Sequence, residues 1–551
     1  MIRKQQTGNG HHSPAMQGLR AFCMRAVLAC ALATVAWVAF SPVAGPALAA
    51  GADAAGDGLR FDIWEFRVEG NTLLPAIDVE RAVYPFLGPQ RSDRDANAAA
   101  AALEKAYQAR GYRTILIEIP EQNVESGVIR LAVTEGKVGR VRVTGARYFA
   151  QERILAQVPA LSAGSVPDFE RVQKDIAAVN QQPDRRVTPV FRAGAITGTT
   201  DVDLTVEDRS PLHGSLTLDN KRSLNTTPLR LSGALRYDNL FQREHSIGLQ
   251  FQTTPQDTSQ VRVFSGSYTV PLHSWTLTGY AIHSRSNIAT AIGNTQVLGN
   301  SNIVGFRATR RLPADGSELS HTFSIGADYK DLGEDLRVGT LPGLRTPIQY
   351  MPLSASYNVF LDGKSGSTQA SAGIVLALRG IGDGQADFDR RRFRAQPNFF
   401  VFKGELQRLQ KLPADFVLMG RIEVQGADQP LISNEQFFIG GADSVRGYFE
   451  VESLGDYGGR GSIELRGPRI ALLPKTTDLR LHGFIDAGAA GIHKALPGQL
   501  DPPALRSTGI GLRLRQGSLV SVSSDLAWPM RSTANTRAWS PRLLFSASLQ
   551  F

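Results

Sequence analysis

From Pro211 to the carboxyl end the chain alternates apolar and polar residues, segment after segment. In Leu229 to Tyr237, Leu229, Leu231, Gly233, Leu235 and Tyr237 share one face, and Arg230, Ser232, Ala234 and Arg236 the other. Ile247, Leu249 and Phe251 alternate with Gly248, Gln250 and Gln252. Phe416, Leu418, Gly420, Ile422 and Val424 share a face, and Arg421, Glu423 and Gln425 oppose its later half. A period of two marks strands with one apolar face. About sixteen such segments of about 9–11 residues fit between 213 and 551, and their second face stays polar throughout. Their connections alternate in length. Pro271 to His273, Pro313 to Ser317, Leu412 to Ala414 and Gln516-Gly517 are tight, whereas Asn287 to Ser301, Gly333 to Gln349 and Gly380 to Gln396 are long. This rhythm predicts an all-β transmembrane barrel over 210–551 rather than a soluble sandwich.

Ahead of Pro211 the period changes. Trp64 to Val68 suits a strand ended by the turn pair Gly70-Asn71. Pro75 opens a helical stretch whose Ile77, Val79, Val83 and Leu87 recur at near-helical spacing. A second, alanine-rich helix is expected from Asp95 to Arg110, stopped by Gly111. Strands follow at Thr114 to Ile119 and Val128 to Glu135. The order then recurs: strand Val138 to Val143, turn Gly145, helices Ala150 to Val158 and Phe169 to Asn180, strands Val187 to Phe191 and Asp201 to Glu207. Two strand–helix–helix–strand–strand units, residues 61–135 and 136–209, thus form an internal repeat of about 75 residues.

Residues 1–49 read as a signal peptide. Arg3, Lys4, Arg20 and Arg25 precede an apolar run from Ala26 to Phe40, and Ala47-Leu48-Ala49 gives a small-x-small cleavage pattern. A short linker, 50–60, follows. Both cysteines, Cys23 and Cys30, lie in this segment, so the mature chain is expected to hold no disulfide and to depend on a large core or a closed barrel. Its removal lowers the net charge from +9 to +5. No basic stripe is interleaved with aromatics, so nucleic acid is not an expected partner. No apolar run beyond residue 50 approaches the roughly 18–20 residues of a membrane helix. The nine histidines are scattered apart from His11 and His12, and neither a serine elbow nor a phosphate loop appears. Catalysis, a metal and a cofactor are not expected.

The longest connection, 427–458 between the eleventh and twelfth strands, carries Gln436-Phe437-Phe438-Ile439-Gly440-Gly441-Ala442-Asp443-Ser444-Val445-Arg446-Gly447-Tyr448. Gly440 and Gly441 permit a closely approaching backbone. In the thirteenth strand Leu479, Leu481, Gly483, Ile485 and Ala487 share a face that suits lipid. Arg480, His482, Phe484, Asp486 and Gly488 then face the lumen, and a loop folded back into the pore brings Arg446 against Asp486 as a charge-assisted pair. His482 is read as pore-lining rather than as half of a catalytic dyad.

The run Val445-Arg446-Gly447-Tyr448 and the run Phe484-Ile485-Asp486-Ala487-Gly488 resemble motifs of the superfamily of barrels that insert or export polypeptides. The repeat resembles the polypeptide-transport-associated (POTRA) domain, whose opening strand ends in a turn like Val68-Glu69-Gly70-Asn71. Two POTRA domains ahead of about sixteen strands resemble the outer-membrane transporters of two-partner secretion, of the haemolysin secretion/activation type. Pro183-Asp184-Arg185-Arg186-Val187, Leu218-Asp219-Asn220 and Asp238-Asn239-Leu240 look similar to that family as well. Two departures stand out. Ala193-Gly194 replaces an expected Pro-Gly, and 50–60 is too short for the plug helix and linker that members often carry.

The resemblance implies a place in the outer membrane of a Gram-negative bacterium, with the POTRA domains in the periplasm. It implies capture there of an unfolded partner protein, of adhesin, haemolysin or toxin type, and its passage through the barrel to the surface without a nucleotide. It also implies that Arg446 and Asp486 pair inside the barrel. Phe551, ending the strand Leu543, Phe545, Ala547 and Leu549, resembles the signal read by the outer-membrane assembly machinery. An outer-membrane assembly and insertion factor shares both motifs but usually carries more periplasmic repeats. A passive solute channel has no use for such repeats.

Overall fold

The computed structural model describes residues 60–551 except 225, 273, 287–289, 293–294, 298–299, 315–317, 334, 337–343, 471–473, 475 and 500. The expected signal peptide, and all of the 50–60 linker but Arg60, lie outside the described residues.

Two α/β units come first, built alike. In the first, strand Glu65–Glu69, helices Ala76–Val83 and Asp93–Ala109, and strands Ile115–Glu118 and Val128–Glu135 follow in order. In the second, the same order runs through strand Lys137–Thr144, helices Gln151–Ala156 and Phe169–Val179, and strands Arg185–Ala193 and Thr199–Asp208. Each sheet has its last strand in the middle, parallel to the first and antiparallel to the second. Sequence sets these elements locally. Ser92 and Asp95 form a reciprocal capping box at the start of the long helix, and the Asp168 carboxylate accepts from the Glu170 and Arg171 amides. A short pair, Phe61–Ile63 with Gly88–Arg91, adds to the first unit beyond the expected elements.

The repeat is also written in one turn. Gly70 and Gly145 end the opening strands at φ +87° and +86°, and a Cβ on either would sit 2.3 Å from a carbonyl oxygen of the central strand. Only glycine fits both demands. A carboxylate then closes each turn. Glu135 accepts from the Thr72 and Leu73 amides, as Asp208 does from Arg147, Tyr148 and Phe149. Burial, with the Glu135 carboxylate beside it, pushes the Tyr107 phenol well above its ordinary range. Each unit has its own apolar core, around Ile129, Leu131 and Leu103 in the first and Val202, Leu204 and Ile154 in the second.

The rest closes into a barrel of sixteen antiparallel strands. The first eight are Leu212–Asp219, Arg230–Leu240, His245–Thr253, Val261–Leu272, Trp275–Ser286, Asn300–Arg311, Leu319–Gly333, and Ile348–Tyr350 continued by Leu353–Gly363. The other eight are Gly366–Leu376, Phe400–Lys411, Val417–Ala427, Tyr457–Arg466, Thr477–Gly491, Leu505–Gln516, Val520–Pro529 and Arg542–Gln550. The eighth breaks at Met351-Pro352, because proline cannot donate to the ladder. The sixteenth strand meets the first from Ser546–Asp219 to Gln550–Ser215, and Phe551 and Gly214 exchange both backbone bonds. Asn220 lengthens this seam. Its side-chain amide donates to the Leu543 carbonyl and accepts from the Phe545 amide, both at 2.8 Å, standing in for a backbone rung. Outward residues such as Ile463, Leu481, Ile485 and Ile510 are about 60% exposed, an apolar belt for lipid. Among the described residues no helix is long and apolar enough to cross a membrane.

Candidate functional site: an arginine loop inside the barrel

Residues 428–456 leave the eleventh strand and turn back into the lumen, where Phe437–Ile439 and Ser453–Gly455 pair as a short hairpin. Between them the chain passes Gly440 and Gly441, at φ +102° and +109°, and delivers Arg446 to the wall. On the thirteenth strand the period of two turns Phe484, Asp486 and Gly488 inward. The Arg446 guanidinium grips Asp486 with both prongs, Nε to Oδ2 at 2.8 Å and Nη2 to Oδ1 at 2.9 Å. The Arg446 amide donates to the same carboxylate at 3.1 Å, and the Ser462 hydroxyl at 2.6 Å. The guanidinium carbon lies 3.3 Å from the centre of the Phe484 ring, which covers it on one side. Arg446 is 5% exposed and Asp486 fully buried.

Around this pair lies a second ring that the sequence reading missed. Arg446 Nη1 also donates to Glu464 at 2.9 Å and lies 3.5 Å from Asp525. Glu464 in turn receives Arg513 and Arg466, and His482 meets Asp525 at 2.7 Å. Three carboxylates thus face three guanidiniums, so the buried cluster is close to neutral. That balance is what makes burial tolerable. Gly509 and Gly511 on the fourteenth strand clear the space: a Cβ at Gly509 would strike the Phe484 ring at 2.2 Å, and one at Gly511 the Asp525 carboxylate at 2.2 Å. The available sign was lumen-side parity on neighbouring strands, since Ser462 pairs in register with Asp486 and Glu464 with Phe484.

The remaining loop residues hold the backbone. Val445 is buried with Ile439, Tyr448 and Leu505, and Gly488 leaves room for Val445 and Ile439. Gly447, at φ +92°, passes against Pro529. The Tyr448 hydroxyl lies 3.0 and 2.8 Å from the Arg506 and Arg531 carbonyls. Asp443 pairs with Lys221 at 2.7 Å, and the Glu450 amide donates to the Arg222 carbonyl, which ties the loop to the chain just beyond the first strand. Phe551 lies elsewhere, its ring over Gly214 at the seam.

Residues 198–514, more than half the chain, match the family described as haemolysin secretion/activation protein ShlB/FhaC/HecB. The chain belongs to that family. Residues 61–136 match the ShlB-type POTRA domain. Among relatives, the outer membrane transporter CdiB of Dickeya dadantii is 23% identical over 449 residues, 80% of this chain and 78% of that protein. The heme/hemopexin transporter protein HuxB of Haemophilus influenzae is 20% identical over 497 residues, 87% and 85% of the two. In fold, the chain resembles CdiB from Escherichia coli, with a TM-score of 0.60 at 18% identity over 99% of this chain and 100% of that one. BamA from Haemophilus ducreyi lacking its first three POTRA domains gives 0.55 at 14% identity, over 89% and 100%. A member of the haemolysin secretion/activation family is a two-partner secretion transporter in the outer membrane, its POTRA domains in the periplasm.

The far end of the lumen, away from the POTRA domains, is filled differently. The loop between the ninth and tenth strands forms the helix Gln385–Arg391. Its Phe388, with Ala395, Phe399, Leu431 and Ile432, packs against Val263, Ile282, Ile303, Ile348 and Tyr350 of the strands. Arg391 donates to the Leu332 and Thr346 carbonyls, and Arg392 grips Asp456 at the root of the arginine loop. Glu435 lies 2.5 Å from both Lys330 and Tyr350. The two loops and the inner faces of the surrounding strands thus share one apolar cluster at this end of the barrel.

Proposed function

We propose that this chain exports one dedicated partner protein. The POTRA domains take up the partner unfolded in the periplasm, and the barrel passes it to the surface under control of the Arg446 loop. The observation that carries the reading is the loop itself, drawn into the lumen and gripped there through Arg446 and Asp486. A solute pore needs an open bore; a loop anchored there by buried polar contacts centred on Arg446 suits a passage that must open for a chain and close behind it. Unpaired sides remain on the outer strands Glu65–Glu69 and Ile115–Glu118 of the first POTRA sheet and on the later part of Lys137–Thr144 in the second, where the Asn180 side chain takes both backbone groups of Val187 on the other outer strand. An extended partner segment can pair there by strand addition. The carboxyl-terminal Phe551 is read by the assembly machinery that places the barrel.

Relatives named as transporters, CdiB and HuxB, favour export over the rival role of inserting other barrels. Two POTRA domains rather than more point the same way. The expected cargo is a large adhesin, haemolysin or toxin encoded beside this gene. Because both units have their own cores, residues 61–209 should fold alone. Calorimetry with that fragment and the amino-terminal region of the neighbouring protein should show binding without the barrel. Binding only by the full chain would remove the capture role.

A further inference from the structure

Two motifs left without a task, Pro183 to Val187 and Asp238 to Leu240, meet in one place. The turn joining the second and third barrel strands docks on the second POTRA domain. Phe241, Gln242 and Glu244 all take positive φ, near +58°, +56° and +60°, which side chains other than glycine rarely adopt. Such a turn persists only where its surroundings hold it. Here they do. Gln242 accepts from the Ala150 amide at 2.9 Å and donates to the Tyr148 carbonyl at 3.1 Å, where Asn239 also donates. Glu244 accepts from Arg185 and from Gln157, both at 2.9 Å. Gln182 donates to the Asp238 carbonyl at 3.1 Å.

Arg185 is the centre of this joint. Its side chain is 2% exposed, lies over the Phe149 ring at 4.9 Å and also donates to the Val179 carbonyl at 2.8 Å. Beside it, His213 of the first barrel strand lies 2.8 Å from the buried Asp184 and 3.5 Å from Asp238. A histidine and two carboxylates suit a divalent cation in geometry. Arg209 already pairs with Asp184, and Arg236 with Asp238, so the negative charge is compensated from within the chain. The cluster belongs to the joint.

The two POTRA domains touch through a different kind of contact: Val166 packs against the first core, Tyr112 and Asp168 form a bridge, the Phe169 amide donates to the Gly111 carbonyl, and Arg113 lies over the Phe169 ring.

We infer that the second POTRA domain and the pore form one rigid body, and that Arg185 and Glu244 are positioning residues for export, holding that domain at the pore mouth so that a partner bound to it is presented there. The strand Arg185–Ala193 begins at the joint, and its sheet partner among the described residues, Thr199–Asp208, leads through Arg209 to Pro211 into the first barrel strand. The joint end of that strand is itself closed, because the Asn180 side chain takes both the Val187 amide and the Val187 carbonyl and Pro189 has no N–H to offer. Presentation of the partner rests on the capture reading proposed above.

Residues 60–551 contain no cysteine, so introduced thiols are unique among them. Spin labels at exposed Arg153 in the domain and exposed Lys364 in a turn at the barrel's periplasmic end should give a single narrow distance in the full chain. Glu244→Ala should broaden it and lower export about tenfold, with a heat-modifiable barrel retained. Glu244→Gln, which keeps an accepting oxygen for Arg185, should restore both. In a second strain, cysteines at exposed Ala156 and exposed Arg243 joined by a short thiol cross-linker should leave export unchanged. A broad distance in the unaltered protein, or export stopped by the cross-link, overturns the rigid joint. Failure of residues 61–209 to bind partner would instead count against capture and leave the distance result standing.

Discussion

On one side of the lumen Arg446 is held by Asp486, Glu464 and the Phe484 ring; on the other, Phe388, Phe399 and Ile432 press against Val263, Ile282 and Ile303. The first contact is directional. Its two prongs and shared carboxylate work in one geometry, and loss of either partner strands a charge. The second is not directional. Apolar packing weakens by degrees as side chains shrink, and an exchange of similar volume is tolerated. The arginine side therefore has the properties of a latch and the apolar side those of a stopper. The two are joined by Leu431 and Ile432 of the arginine loop, which pack with Phe388, and by the Arg392–Asp456 grip.

Breaking the latch should have the largest effect. Removing one member of a buried pair costs about 3–5 kcal/mol, less where water reaches it. Neither side chain serves the strand ladder, so Arg446→Ala should cut secretion at least about tenfold while the barrel still migrates as a heat-modifiable species. Asp486→Ala should match it, and the double variant should be little worse than either, as coupled residues behave. Full secretion by Arg446→Ala at normal abundance, or additive losses, would take the latch out of the mechanism. Next comes the stopper. Deleting residues 379–397 should raise conductance in planar bilayers several-fold and leave most secretion intact; if secretion vanishes instead, the two regions are not separable. Arg446→Lys should fall between wild type and Arg446→Ala, since an ammonium lacks the planar fork. Asp456→Asn, which weakens the grip between latch and stopper, should change conductance modestly with secretion near normal. Deleting residues 50–58 should move conductance least, because the loops already fill the far lumen; a large rise would place an essential plug in that segment.

Much of this architecture was legible as period. Strict alternation gave the strands to within a few residues, and the recurring order of elements gave the two POTRA units. The parity of one strand put Asp486 in the lumen, and the pairing with Arg446 came from the family resemblance that the two runs carry. Glu464 and Ser462 on the twelfth strand and Asp525 on the fifteenth were missed because only register brings them to Asp486 on the thirteenth. The stopper was hidden for a different reason. Val261 and Val263 face the lumen while Arg262 and Phe264 face outward, which reverses the usual polarity near the far rim. Read alone, that stretch has apolar residues on both faces and says nothing about a loop packed inside. Phe388 sits on a seven-residue helix flanked by Arg390, Arg391 and Asp387, whose charges mask a buried face. The joint at Glu244 was invisible because its conformation, left-handed at three ordinary side chains, runs against local preference and exists only through contacts distant in sequence.

The seam closed by Asn220 has a chemical lifetime that the rest of the ring lacks. Backbone rungs are lost only when the chain is cleaved, but a carboxamide can hydrolyse. Conversion to aspartate would leave an acceptor facing the Leu543 carbonyl where a donor stood, two oxygens opposed across the last rung. The oldest molecules in a membrane would then be the ones whose first and last strands hold each other least.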